Sequence, residues 1–117
     1  MTAQEAITRA DALLPNPIET AEKLRWLEAL DGQLLRELHA LRGGEAADVA
    51  YTAASQLVAE APCDELYVHY LQAKALYFLA EYGRYQNAMS QFNSLYLGWT
   101  AAQIRAEKPK PAPPMRY

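Results

Sequence analysis

Apolar residues recur at three- and four-residue steps along most of the chain, which predicts helices rather than strands. The clearest stripe lies between about Glu19 and Leu41 and is built from Leu24, Leu27, Leu30, Leu34, Leu38 and Leu41. Gly32, in the middle of this stripe, costs about 1 kcal/mol relative to alanine and indicates a kink or close packing. Gly43 and Gly44 are expected to end the helix.

A shorter helix is predicted before it, opened by a capping box and closed by prolines. Thr2 stands three residues before Glu5, so that the hydroxyl and the carboxylate can each accept from a backbone N–H of the first turn. Pro15 and Pro17 stop the helix, because proline lacks an amide hydrogen and disfavours helix in the residue before it. So short a helix is unstable alone and must dock on the rest of the chain.

The run from Pro62 to Trp99 holds six of the eight tyrosines, both phenylalanines and one of the two tryptophans. It predicts a third helix from near Pro62, apolar nearly all round and therefore central or covered by a partner. After a turn near Ala80 to Gly83, a fourth helix is expected over about Arg84 to Glu107. The core or near-core side chains predicted from this pattern and the preceding stripe are Trp26, Tyr67, Leu71, Phe78, Phe92, Tyr96 and Trp99.

The fourth predicted helix carries no charged residue from Tyr85 through Gln103. Solvated helix faces normally carry lysine and glutamate, whereas the cores of protein interfaces are depleted in charge. The stretch is therefore either a polar surface that happens to lack charge or a contact between subunits. The candidate interface residues are Trp26, Tyr67, Tyr70, Gln86, Ser90, Asn93 and Ser94.

Together these patterns predict an all-α fold, a compact bundle of about four helices with a long C-terminal helical hairpin and the second helix packed across it. Residues 45–61 lack a strong stripe and are expected to form a connection with partial helix. Residues 1–107 form the single predicted domain. Residues 108–117 are proline-rich and basic, and are expected to be an extended, flexible tail.

Composition narrows the class of function. A chain of 117 residues forms one domain, and its net charge of −3 gives no general attraction to nucleic acid. The single cysteine, Cys63, cannot form an internal disulfide. Neither a signal-peptide pattern nor a run of 18 apolar residues occurs, so no membrane partner is expected and synthesis in a reducing cytoplasm is the default.

The sequence offers only weak candidates for chemistry. His39, Cys63 and His69 do not have the short paired spacing of a structural zinc site, and nothing orients the imidazole of His69 toward the thiol. Asp64 and Glu65 are adjacent, so they suit the first turn of a helix better than paired acid–base work. We predict no catalytic residues, no metal site, no cofactor and no enzymatic activity.

One local pattern is similar to a tetratricopeptide hairpin. Gly83, Tyr85, Ala88 and Phe92 fall at its G-x-Y-x-x-A-x-x-x-F spacing. A shift of 34 residues places Tyr51, Ala54 and Val58 on the last three of these, but Val49 on the glycine. About three repeats are needed for a continuous core, so a helical-hairpin protein-interaction module is kept as the alternative function.

A second likeness covers more of the chain, from about Leu13 to Trp99. The strings that carry it are Leu24-Arg25-Trp26-Leu27, Leu30-Asp31-Gly32, Leu57-Val58, Ala61-Pro62, Asp64-Glu65-Leu66-Tyr67, Glu81-Tyr82, Arg84-Tyr85, Asn87 and Phe92-Asn93. In these the chain resembles the head–tail connector (adaptor) family encoded in phages and prophages of Gram-positive gut bacteria. That resemblance implies a helical, non-enzymatic virion protein that forms a ring below the portal.

The resemblance also implies the partners. They would be further copies of the chain in a homo-oligomeric ring, together with other head and tail proteins such as the portal. The protein would be found in the virion and, during assembly, in the cytoplasm of the bacterial host. DNA passes through the lumen of such rings, and an acidic subunit would let it slide without sequence-specific binding.

Overall fold

The structure, a computed structural model, describes residues 1–43 and 51–107, and within them it contains four helices and no strand. The helices are α1 (Ala3–Leu13), α2 (Thr20–Arg42), α3 (Glu65–Phe78) and α4 (Tyr82–Glu107). The predicted all-α bundle is confirmed. The predicted tail, residues 108–117, lies outside the described residues.

Helix α1 begins as its sequence predicts. The Thr2 hydroxyl accepts from the Glu5 N–H at 3.2 Å, and the Glu5 carboxylate accepts from the Thr2 N–H at 3.4 Å. The next two N–H groups, of Ala3 and Gln4, donate to the carbonyls of Ser55 and Ala53, both at 2.9 Å. Residues 53–55 therefore complete the cap that a helix start requires.

The segment from Tyr51 to Pro62 contains no helix, so the expected partial helix is wrong for this part of the connection. The segment instead lies along the start of α1, where Leu57 and Ala59 are buried. Its backbone is satisfied by the N-terminus, since the Leu57 N–H donates to the Met1 carbonyl at 3.0 Å. Residues 44–50 lie outside the described residues.

Helix α3 is central, as its nearly continuous apolar surface predicts, and it contacts all three other helices. It begins at Glu65, three residues later than expected, because residues 61–64 form turns. Helix α4 returns beside it after a short turn in which Ala80 has a φ of 60°. Helix α2 contacts both members of this α3–α4 hairpin.

Most of the predicted core aromatics are covered, with one exception. Tyr67, Phe92 and Trp99 are buried, whereas Trp26 and Tyr96 are half-buried against the core, and Leu71 is also buried. The prediction for Phe78 is wrong, because this side chain is 64% exposed. Phe78 is the last residue of α3, and the chain turns away there before any described element covers the ring.

Helix α2 runs without interruption through Gly32. A Cβ at that position would meet only the Arg36 guanidinium, at 3.7 Å, which is an ordinary contact. The expected close packing at Gly32 is therefore absent. The buried face of α2 instead carries two charged residues, Lys23 and Asp31, among Leu27, Leu30 and Leu34.

Candidate functional site

One side of α4 is exposed to solvent over most of its length. Its outward residues are Gln86, Asn87, Ser90, Gln91, Asn93, Ser94, Leu97 and Gly98, here called the α4 outer face. From Gln86 to Gly98 this face extends about 18 Å at 1.5 Å per residue. The charge-free stretch seen in the sequence is thus a real surface, bounded by Arg84 at one end and Arg105 at the other.

The opposite side of α4 is held firmly by the bundle. Phe92 and Trp99 are buried, and the Phe92 ring lies 5.1 Å from Tyr70 and 5.9 Å from Tyr96. The Tyr96 hydroxyl donates to the Glu37 carboxylate, and Arg42 donates to Gln103 at 2.8 Å, so α2 fixes α4 at two points. Burial, followed by the bond to Glu37 and its charge, raises the pKa of Tyr96 to about 12.

The predicted interface residues separate into an exposed group, a half-buried pair and one buried residue, Tyr67. Gln86, Ser90, Asn93 and Ser94 lie on the α4 outer face, where they are exposed. Trp26 and Tyr70 are half-buried and pack against the core.

Tyr67 is a correction to the predicted interface. Its side chain is 0% exposed, so it has no surface to offer a partner. The hydroxyl of this side chain is held inside the bundle as firmly as the ring, because it donates to Asp31 and accepts from the Ala59 N–H.

Asp31 is the centre of this buried cluster. Its Oδ1 accepts from the Tyr67 hydroxyl at 2.6 Å, and its Oδ2 accepts from the Tyr51 hydroxyl at 2.7 Å and the Val58 N–H at 3.1 Å. The Tyr67 oxygen in turn accepts from the Ala59 N–H at 2.7 Å. The Asp31 carboxylate on α2 therefore links three separate parts of the chain, namely α2 itself, α3 and residues 51–58.

Burial sets the titration of this cluster. Desolvation raises the pKa of Asp31, and the three donors around it reduce that shift without reversing it. Burial, with the nearby charge of Asp31 and the hydrogen bond to it, raises the pKa of both Tyr51 and Tyr67 well above the usual value. The Asp31 side chain is 0% exposed and accepts from three donors of the chain, so the cluster acts as a structural pin that holds these segments together.

A second buried charge supports α1. Lys23 is 4% exposed and donates to Asp11 at 2.6 Å. Arg9 pairs with Glu65 at 2.5 Å, so that α1 is tied to both α2 and α3 by ion pairs at the edge of its apolar contact.

The end of the α3–α4 hairpin exposes a group of large apolar side chains. The residues Tyr77, Phe78, Leu79 and Tyr82, here called the hairpin tip, are 58%, 64%, 36% and 55% exposed. The Tyr77 ring lies edge-on between Tyr82 at 5.5 Å and Tyr85 at 5.3 Å. Periodicity did not reveal this surface, because α3 is apolar on nearly every side. The turn that follows Phe78 is the only signal that could have indicated it.

The candidates for chemistry do not come together. Within residues 1–43 and 51–107, no three histidine, cysteine, aspartate or glutamate side chains converge as a metal site. Glu65 is used by Arg9, and Cys63 is a partly buried thiol packed against the core. A groove of about 870 Å³ between α2 and residues 51–58 has mixed charges, with Arg25, Glu28 and Arg36 along it. None of the described helices is both long enough and apolar enough to cross a membrane.

Comparisons with protein-family models, with curated proteins and with solved structures found no match to this chain.

Proposed function

We propose that this protein is a non-enzymatic structural subunit, a head–tail connector or adaptor that assembles with copies of itself into a ring below the portal during phage assembly. The observation that carries the proposal is the α4 outer face, an exposed helix surface without charge on a firmly held helix. The resemblance to the connector family implies the partners, which are the portal and other head and tail proteins, and the location, which is the virion.

The physical argument is one of desolvation. Burying an unpaired lysine or glutamate in a contact costs several kcal/mol, whereas serine, asparagine and glutamine can exchange water for hydrogen bonds across an interface at small cost. The α4 outer face offers only such neutral groups together with Leu97, which is 66% exposed. A face of this kind can pack against a different face of the next copy, and repetition of such a contact closes a ring when the rotation allows.

A tetratricopeptide-like peptide-binding module is less well supported. The earlier copy of the motif, with Tyr51, Ala54 and Val58, falls in the part of the chain that contains no helix. The hairpin of α3 and α4 therefore has no second hairpin of the same pattern beside it in the described residues.

We expect Ser94→Glu to prevent assembly without unfolding the chain. Ser94 is exposed in the single chain, so the substitution should change the free energy of unfolding by no more than about 0.5 kcal/mol. In a contact it would bury an unpaired carboxylate and shift self-association at least tenfold. Sedimentation velocity over a range of concentrations measures the association, and urea unfolding measures the stability.

Ser90→Glu should act in the same way, since it lies one turn earlier on the same face. The matched control is Ala21→Glu, an equally small exposed residue in the first turn of α2, where negative charge is favoured. Normal assembly of both serine variants would show that the α4 outer face is not the contact, and the ring proposal would lose its main support.

A further inference from the structure

The hairpin tip has the chemistry of a surface that binds proline-rich segments. Tyr77, Phe78 and Tyr82 present three aromatic rings, each more than half exposed, around the turn that joins α3 to α4. Domains that recognise polyproline II segments do so with exposed aromatic rings of this kind, between which proline rings insert. Two of these rings support each other, because Tyr77 packs edge-on against Tyr82 and also against Tyr85.

The sequence that follows α4 has the complementary chemistry. Residues 108–114 read KPKPAPP, and Pro111 and Pro114 have the P-x-x-P spacing that puts two prolines on one side of a polyproline II helix. Proline already restricts φ, so such a segment loses little conformational entropy on binding. Lys108 and Lys110 add positive charge, which the exposed tyrosine faces of the tip can attract.

Distance excludes binding within one chain. Helix α4 spans 26 residues, so Glu107 lies about 37 Å from Tyr82 at 1.5 Å per residue. Pro114 is seven residues beyond Glu107, and seven fully extended residues reach at most about 25 Å. The proline-rich segment therefore cannot reach the tip of its own hairpin, although it can reach the tip of a neighbour.

We propose that residues 109–114 of one copy dock on the hairpin tip of a second copy, Tyr77, Phe78 and Tyr82. The contact is head-to-tail, because the donor and the acceptor surfaces lie at opposite ends of α4. It goes beyond the proposed ring contact and uses none of the α4 outer face, so it holds or fails independently of that contact. Each single contact is weak, and assembly would strengthen it by raising the local concentration of the segment.

The first experiment uses a fluorescently labelled peptide of residues 108–117 and, as receptor, the full chain with Pro109, Pro111, Pro113 and Pro114 changed to serine. The changes remove the competing segment of the receptor itself. We expect saturable binding by fluorescence anisotropy, weakened at least tenfold when the receptor also carries Phe78→Ser and Tyr82→Ser. Ile104→Ser removes another exposed apolar side chain of α4, far from the hairpin tip and outside the α4 outer face; it is the matched control and should leave the affinity unchanged.

The second experiment mixes two full chains, one with the serine segment and an intact tip, the other with Phe78→Ser and Tyr82→Ser and an intact segment. Neither should form the contact alone, and the mixture should associate through one segment on one tip. Ser94→Glu added to both chains removes the proposed ring contact and should leave this pairing intact. Absence of saturable peptide binding, equal binding to the tip variant, or no association of the mixture would overturn the inference.

Discussion

Replacing Asp31 with alanine is expected to lower the free energy of unfolding by about 3–5 kcal/mol. The substitution removes the acceptor of three donors, the hydroxyls of Tyr67 and Tyr51 and the N–H of Val58. Asp31 and Tyr67 are both fully buried, so water cannot easily take the place of the carboxylate. A domain of this size has about 5–15 kcal/mol in total, and the loss is therefore a large fraction of its stability.

Urea unfolding followed by circular dichroism measures this effect. Tyr51→Phe, which removes only one of the three donors, should cost about 1 kcal/mol and keeps the test informative if the alanine variant does not fold. Glu22→Ala is the matched control on the same helix, because Glu22 pairs with Arg25 at the surface and its removal should change stability by less than about 0.5 kcal/mol. A loss below 1 kcal/mol for Asp31→Ala would show that the cluster is not a structural pin.

The helices could be predicted where one local rule decides the structure. The capping box at Thr2, the leucine stripe of α2 and the apolar surface of α3 each indicated their element, because periodicity and end signals act over a few residues. Asp31 was less visible, although it stands four residues after Leu27 and three before Leu34 and thus lies on the apolar stripe. An acid at such a position is a signal for a buried partner, but the sequence does not say that the partners are tyrosines 20 and 36 residues away.

Long-range contacts decided what the sequence could not predict. The segment after Tyr51 has no helix because its carbonyls cap α1 and its N–H groups are taken by Asp31, Tyr67 and Met1. Phe78 has the periodicity of a core residue and yet lies at the tip, since burial depends on which elements extend beside the helix end. The α4 outer face was visible from the absence of charge alone, because that feature needs only one helix to be interpreted.

The same scaffold explains how two separate surfaces can remain available for partners. Asp31 and its tyrosines fix α2 to α3, and the Glu37–Tyr96 and Arg42–Gln103 contacts fix α2 to α4. The long helix therefore presents its uncharged face in a defined orientation without using that face for its own folding. Rigid positioning of this kind lowers the entropy lost on association, which favours a contact built from neutral polar side chains.

Alkaline pH is expected to destabilise the protein steeply, through Tyr67 in particular. The folded-state pKa of this buried hydroxyl lies above the unfolded value of about 10, because desolvation and the neighbouring Asp31 charge oppose ionisation. Above pH 10 the unfolded chain has released the proton while the folded chain retains it. The free energy of unfolding should therefore fall as pH rises, with Tyr67 alone contributing about 1.4 kcal/mol per pH unit. Tyr51 and Tyr96 add contributions of the same sign, and that of Tyr96 diminishes as the pH approaches its pKa of about 12.

The measurement is a series of urea unfolding curves between pH 8 and pH 11.5 for the wild type and for Tyr67→Phe. The phenylalanine variant should have a lower free energy of unfolding than the wild type at pH 8, because Asp31 and the Ala59 N–H each lose a partner. Above pH 10 its free energy of unfolding should fall less steeply than that of the wild type, by about 1.4 kcal/mol per pH unit. Lysine titration affects both chains equally and cancels in the difference. Tyr82→Phe, which removes a solvent-exposed hydroxyl of the hairpin tip, is the matched control variant. Parallel curves for wild type and Tyr67→Phe would show that the buried hydroxyl ionises as readily as a free one. That result would contradict the prediction and the enclosed bond to Asp31 on which it rests.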